Sequence, residues 1–387
     1  AVMDYTRRFD CPDLGPDALR VPAAHIEQAR HNISAGDMAI ISEAARNIRE
    51  FHEHQKQNSW MTMPSPGVTL GQLVLPVERA GLYVPGGQGG ETPLISSLLM
   101  NAIPAQVAGV PNIHVVSPPR RDGTLNPYIL ATAAILGIEH VYLCGSAWAV
   151  AALAYGTETI PRVDVIGPGN IFVTTAKRLV AGQVGIDMIA GPSEIAILAD
   201  GTADPAWLAA DMLSQAEHDP LASSLLISPD EGLLGKVRAE LSRQMGTLPR
   251  KGIAADALKN WSALIHVADL EAGMGLVNLL APEHFELSVA DPWAWTGRIR
   301  NAGAVFLGHH TPEPVGDYFA GPNHVLPTLA TARFSSALSV ETFCKKTSLL
   351  ATDRNYLSLH GEKIARLARL EGLEAHARSV EQRLSTE

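Results

Sequence analysis

A short apolar strand that runs straight into a glycine-rich turn and then a helix narrows the possible folds of this chain more than any other feature. Ala80-Gly-Leu-Tyr-Val84 is followed by Pro85-Gly-Gly-Gln-Gly-Gly90 and by an apolar helix expected over Leu94 to Val107. That succession is the start of a βαβ unit, in which a helix returns the chain to lay a parallel strand beside the first. The unit repeats, with strands expected at 113–117, 140–144 and 163–166 and helices at 127–136, 147–154 and 171–180. Such alternation gives a parallel sheet covered by helices on both faces.

A second α/β segment begins near Asp187. It is expected to hold strands at 224–227, 263–267 and 304–307 and helices after Asp204-Pro205, over 234–245 and over 270–280. The chain of 387 residues exceeds one ordinary core, so two or three domains are expected. The fold class is therefore α/β, with two Rossmann-like parallel-sheet domains and a helical C-terminal tail. The expected boundaries are 1–66 for a helical lead-in packing with the second α/β domain, 67–190 and 191–335 for the two sheets, and 336–387 for the tail. The first residues already read as helix, so the chain is expected to begin inside an element. His52 and His54 lie two apart on the lead-in helix and are read as surface residues.

The formal net charge of −10 and the lack of Lys/Arg clusters argue against nucleic acid or an anionic membrane as partner, and favour a small-molecule substrate. No apolar run reaches the roughly 18 residues of a membrane span. Cys11, Cys144 and Cys344 are far apart and in no metal or disulfide spacing, which suits a reducing, cytoplasmic setting.

Several polar stretches carry more chemistry than a core needs. Gln215 and His218 are three apart near the end of a helix stopped by Asp219-Pro220, where an amide oxygen and an imidazole form half of a cation site. Taken alone, the pair reads rather as a solvated amide and a capping imidazole. The turns Gly86–Gly90 and Gly167-Pro-Gly-Asn170 each lie between a strand and a helix, where free N–H groups hold anions. Neither has the spacing of a dinucleotide fingerprint. Glu283 and His284 are adjacent after Pro282, an acid and an imidazole suited to moving protons at neutral pH. The stretch Pro312 to Pro327 is expected to be a rigid loop that presents Asp317 and His324. Asp317 would complement Gln215 and His218 as a hard oxygen donor in a zinc-type site. His309 and His310 are set aside as ligands.

Taken together, these motifs resemble those of the histidinol dehydrogenase family, in the same order and over essentially the whole chain. They are Gly81-Leu-Tyr-Val-Pro-Gly-Gly87, Gly167-Pro-Gly-Asn170, Val184 to Glu194, Ser214-Gln-Ala-Glu-His218, Ala281-Pro-Glu-His284, Gly316-Asp-Tyr, Gly321 to Thr328 and Glu371 to His376. The resemblance implies a homodimeric enzyme with shared active sites that uses one Zn2+ per subunit and two NAD per product. Its reaction would be the four-electron oxidation of L-histidinol through L-histidinal to L-histidine, the last step of histidine biosynthesis. It implies Gln215, His218, Asp317 and His376 as metal ligands, with the tail exchanged so that His376 serves the partner subunit's site. Glu283 and His284 would be the catalytic pair. Ser193, Gln215, His218, His284, Asp317, His324, Glu371 and His376 would hold substrate, and Tyr83 and Asn170 would touch the dinucleotide in the first α/β domain.

Two positions depart from the family pattern. Gly145-Ser-Ala-Trp148 stands where the family usually has a Gln contacting the dinucleotide, and a Trp could only stack on the cofactor. The Gly86–Thr92 loop is longer than expected and carries Glu91. Two other readings remain at this level: a related dehydrogenase acting on another amino alcohol or a diol, and a metal-dependent binding protein without turnover. An intact Glu283–His284 pair speaks against the second.

Overall fold

The computed structural model describes residues 1–384 apart from Pro16, 87–91 and Asn170. The chain divides into two units, Ala1–Gln55 with Glu78–Phe343, and Lys56–Val77 with Cys344–Glu387. No helix among the described residues is long and apolar enough to cross a membrane.

The first unit holds two fully parallel five-stranded sheets. One contains β3 (Arg79–Tyr83), β4 (Asn112–Ser117), β5 (His140–Leu143), β6 (Val165–Ile166) and β7 (Gly185–Ile186), in the order β5-β4-β3-β6-β7. The other contains β8 (Glu194–Ala199), β9 (Ser223–Ser228), β10 (Ala263–His266), β11 (His284–Ser288) and β12 (Ala304–Leu307), in the order β10-β9-β8-β11-β12. In both, the first strand lies at the centre and the winding reverses beside it, the point where open α/β sheets leave a crevice. The strands β8 and β11 are buried almost throughout, which accounts for the apolar run Ile195 to Ala199.

The crossover helices follow from local signals. α8 (Pro205–Ala216) starts where the Asp204 side chain accepts the Ala206 N–H at 2.7 Å, with proline in its first turn. α11 (Leu270–Leu280) ends at Ala281, a buried residue in the left-handed region (φ 51°). With Pro282 next, the helix cannot continue, and the chain is thrown into β11.

The lead-in differs from expectation. Its helices are α1 (Val2–Phe9), α2 (Ala23–Gln28) and α3 (Ala35–Glu53), with a 3-10 turn at Ala29–His31. They pack on α4 (Ile95–Ala108), α5 (Pro127–Ile135) and α6 (Ser146–Tyr155), which flank the first sheet rather than the second. The reason is that α4 and α5 are apolar nearly all round and need cover on their outer face. His52 is fully buried, not a surface residue. It continues the buried stripe Ile41, Ala44, Ala45 and Ile48, and its Nδ1 donates to the Ile48 carbonyl at 2.8 Å. Asn323 Nδ2 donates to its other ring nitrogen at 3.3 Å.

The second unit corrects two more boundaries. β1 (Trp60–Ser65), β2 (Val68–Pro76) and β13 (Cys344–Thr352) form an antiparallel sheet in the order β1-β2-β13. The first α/β domain therefore starts at β3 rather than at 67, and the tail expected to be helical opens with a strand. β2 and β13 are far apart in sequence, so their pairing leaves no local signature. After them come α13 (Arg354–Leu370) and α14 (Glu374–Leu384).

Candidate active site

Glu283 and His284 sit at the amino end of β11, between β8 and β12, and both are buried. The same residue of β8 holds each of them. The Glu194 N–H donates to Glu283 Oε2 at 2.9 Å, and the Glu194 carbonyl accepts from His284 Nδ1 at 3.1 Å. A carbonyl can only accept, so the neutral ring carries its proton on Nδ1 and its lone pair on Nε2. His284 Nε2 is buried and has no hydrogen-bond partner. It faces Glu313 Oε1 and Asp317 Oδ1, each at 3.9 Å, while Glu283 Oε2 lies 3.6 Å from Nδ1.

Glu313 and Asp317 lie four apart on α12 (Glu313–Tyr318), hence on one face. The segment expected to be a loop is thus partly helical: Pro312 caps it and Pro314 falls in the first turn, where proline is tolerated. Burial raises the Asp317 carboxyl to about 8, with Glu313 adding to the effect. Burial also pushes Glu283 well above the usual carboxylate range and holds His284 below its ordinary value. His324 donates from Nδ1 to the Asp317 carbonyl at 3.1 Å, and burial lowers its ring to about 4. His218, exposed just past the end of α8, is near enough to add to the depression of both His284 and His324.

Gln215 is fully buried at the end of α8, and neither atom of its amide has a hydrogen-bond partner. A solvated amide is therefore excluded. An unpaired buried amide costs about 1–3 kcal/mol, so its oxygen is a donor that lacks an acceptor of electrons. His284, Glu313 and Asp317 offer ligand atoms within 4.8 Å of one another. A buried and a half-buried carboxylate facing each other, an orphaned imidazole nitrogen and an orphaned amide form a donor set that fits a divalent cation, whose charge the cluster otherwise lacks. A cavity of about 290 Å³ adjoins this group, lined by Asp317 and His324 with Phe51, Phe306, Val315 and Leu326.

Ser193 immediately precedes β8, and its carbonyl accepts the Ser223 N–H at 3.0 Å. Tyr83 ends β3 and is buried, and its hydroxyl accepts the Ser146 N–H at 3.4 Å. Asn170 is outside the described residues, as is most of the Gly86–Thr92 loop, whose ends are joined by Thr92 N–H donating to Gly86 O at 3.0 Å. Glu371 and His376 belong to the second unit, at the end of α13 and on α14, and both are exposed. Trp148 packs on α1: its ring lies 5.8 Å from Tyr5 and 5.5 Å from Phe9, and its Nε1 donates to Thr6 Oγ1 at 3.1 Å. Its stacking partners here are therefore side chains of the lead-in. His309 is bonded through both ring nitrogens, to Ser288 and Thr202, at the opposite end of β11 from His284.

The sequence reading gave no role to Glu194 or Glu313. An acid opening an apolar strand was a signal for the first. The four-residue spacing to Asp317 was one for the second, obscured by two prolines and a glycine.

The sequence profile described as histidinol dehydrogenase matches residues 1–384. Histidinol dehydrogenase of Oleidesulfovibrio alaskensis is 63% identical over 386 residues, covering 100% of this chain and 89% of that protein. The enzyme of the same name from Nitratidesulfovibrio vulgaris is 62% identical, covering 100% and 88%. The crystal structure of histidinol dehydrogenase from Elizabethkingia anophelis superposes with a TM-score of 0.93 at 39% identity, over 99% of this chain and 88% of that one.

Proposed function

The chain belongs to the histidinol dehydrogenase family, and from that premise we propose that the site on β11 and α12 oxidises L-histidinol through the aldehyde to L-histidine with NAD. The observation that carries the reading is His284 Nε2. It is a buried, unpartnered lone pair on a ring whose tautomer is fixed by the Glu194 carbonyl.

Bound NAD would supply the hydride acceptor, and bound zinc a fixed positive charge for the amine and imidazole nitrogens of the substrate. The residues that would hold zinc are Gln215, His218 and Asp317, with His376 of the partner subunit. His284 is close enough to ligate, but a ligated Nε2 could not accept a proton, so we keep it for proton transfer. In the first oxidation His284 Nε2 takes the hydroxyl proton as the carbinol carbon loses hydride. Water then adds to the aldehyde carbon. Glu283, held at Oε2 by the Glu194 N–H, takes a proton from that water. Once His284 has passed its first proton to solvent, the hydrate loses hydride in the second oxidation while His284 Nε2 again accepts a hydroxyl proton. Burial strengthens Glu283 as a base by raising its carboxyl, and keeps the His284 ring neutral with Nε2 free to accept. Ser193, His324 and Glu371 would hold the rest of the substrate.

The dinucleotide would lie at the carboxyl ends of β3 and β6, beside Tyr83 and the turn that ends in Asn170. A Cβ at Gly169 would come within 2.8 Å of the Tyr83 ring, so the backbone approaches there as only glycine permits. We also propose a homodimer in which His376 of the partner subunit completes each site. The support is the apolar surface of the second unit, where Met61, Met63, Leu350, Leu359, Leu367 and Leu370 are each more than 60% exposed. Patches of this kind mark interfaces. A cytoplasmic location is supported by the three cysteines, which lie far apart in the sequence and in no disulfide spacing.

The test is NADH formed per L-histidinol consumed, with and without a chelator. Two NADH per histidinol, lost on chelation, is the expected result. No NADH from histidinol by a zinc-loaded protein would move the reading to another amino alcohol or to a binding protein.

A further inference from the structure

Glu313 has no assigned part in the site, yet it touches three of the elements that build it. It is 1% exposed. Its Oε2 accepts from Ser214 Oγ at 3.1 Å, and Ser214 immediately precedes Gln215 on α8. Its backbone N–H donates to Glu286 Oε1 at 2.8 Å. Glu286 is two residues beyond His284 on β11 and so shares its face of the sheet. One helical turn along α12, ligand atoms of Glu313 and Asp317 lie within 4.8 Å of each other.

Gln215 and Asp317 are about a hundred residues apart in sequence and sit on separate helices. Ligand distances in a metal site must hold to about 0.2 Å, so something must fix α8 against α12. We propose that Glu313 is a positioning residue that buckles the Ser214–Gln215 end of α8 to α12, and thereby sets the spacing of the Gln215 and Asp317 metal donors. The inference rests on the metal reading given above. Glu313 acts through the hydrogen bond from Ser214 and its own seat on Glu286, not as a ligand itself. Partners of this kind behind the ligands typically govern metal affinity by ~10–100-fold.

The experiment measures zinc affinity by chelator competition, and the visible absorption of the cobalt(II)-substituted protein, for the unsubstituted enzyme, Ser214→Ala, Glu313→Gln and Glu313→Ala. Glu313→Gln keeps an oxygen acceptor for Ser214, so it is expected to hold zinc within about threefold and to leave the cobalt spectrum unchanged. Ser214→Ala and Glu313→Ala are expected to weaken zinc by ~10-fold or more and to shift the spectrum. The proposal is overturned if Ser214→Ala and Glu313→Ala bind zinc as tightly as the parent with the same cobalt spectrum, even where their melting temperatures fall. It is equally overturned if Glu313→Gln changes the spectrum as much as Glu313→Ala, because Glu313 is then a ligand. If the unsubstituted enzyme holds no zinc, the metal reading itself fails and takes this proposal with it.

Discussion

In the first sheet the carboxyl ends of β3 and β6 meet at Tyr83 and the glycine turn 167–169, where the backbone comes close enough that a side chain at 169 would strike the tyrosine ring. The corresponding place in the second sheet, between β8 and β11, is occupied by its own side chains. Asp200 accepts the Ala290 N–H and the Thr202 N–H, each at 2.9 Å, and His309 bridges Ser288 and Thr202. These bonds use the N–H groups that would otherwise greet an anion. The chemistry of the second sheet appears instead at the amino ends of the same two strands, with Glu194 on β8 and Glu283–His284 at β11. One strand order thus supports the proposed dinucleotide edge in one sheet and the proposed proton-transfer edge in the other. The strand order fixes where crevices form, and the side chains decide which end is used.

The amino edge is where substitution should matter most. His284→Asn removes the lone pair and is expected to cut turnover by ~10²–10⁴-fold. Zinc should stay bound, because Gln215, His218 and Asp317 remain. Loss of the metal from His284→Asn, measured by elemental analysis, would instead make His284 a ligand. Glu283→Gln still offers an oxygen to the Glu194 N–H, so the strand entry should survive. Its expected effect is confined to the second oxidation, slowed by about 10²-fold, with NADH per histidinol falling toward one in a single-turnover experiment. Equal slowing of both oxidations would show that Glu283 serves the first step as well.

The two edges were not equally legible in the sequence. Strands β3, β4, β5 and β9 announce themselves as apolar runs, and Asp204-Pro205 marks the start of α8. Strand β11 does not, because Glu283, His284 and Glu286 interrupt the pattern. They are tolerated in a buried strand only because they pair with β8 and α12, which no local rule can foresee. The burial of Gln215 is of the same kind: an amide at a helix end suits water or a ligand equally, and only the tertiary structure removes the water. His52 was misread for a simpler reason, since its place one turn after Ile48 on a buried stripe was available in the spacing. The motifs that carry the family resemblance point to Glu283 and His284 as the proposed acid–base pair and to Gln215, His218 and Asp317 as proposed donors. Glu194 and Glu313, which hold them, became visible only through their hydrogen bonds.

At the carboxyl edge of the first sheet a smaller and different effect is expected. Gly169→Ala drives a methyl group toward the Tyr83 ring and Val173, so the turn must shift where the dinucleotide is proposed to bind. The KM for NAD should rise by about tenfold, as a displaced contact of 1–2 kcal/mol would give, while kcat changes little. A drop in kcat with KM unchanged would place the dinucleotide elsewhere.

The carboxyl edge of the second sheet should be the quietest. Asp200→Asn puts an amide N–H2 or a poorer acceptor where Asp200 now receives both Ala290 and Thr202, and loses about 1 kcal/mol of stability in denaturant unfolding. Because this edge lies at the far end of β8 and β11 from Glu194, Glu283 and His284, kcat/KM should stay within about twofold of the parent, which is under 0.5 kcal/mol. If kcat/KM fell tenfold while the protein remained folded, the second crevice would be taking part in the reaction. The contrast between a binding edge and a closed one would then have to be abandoned in favour of two working crevices.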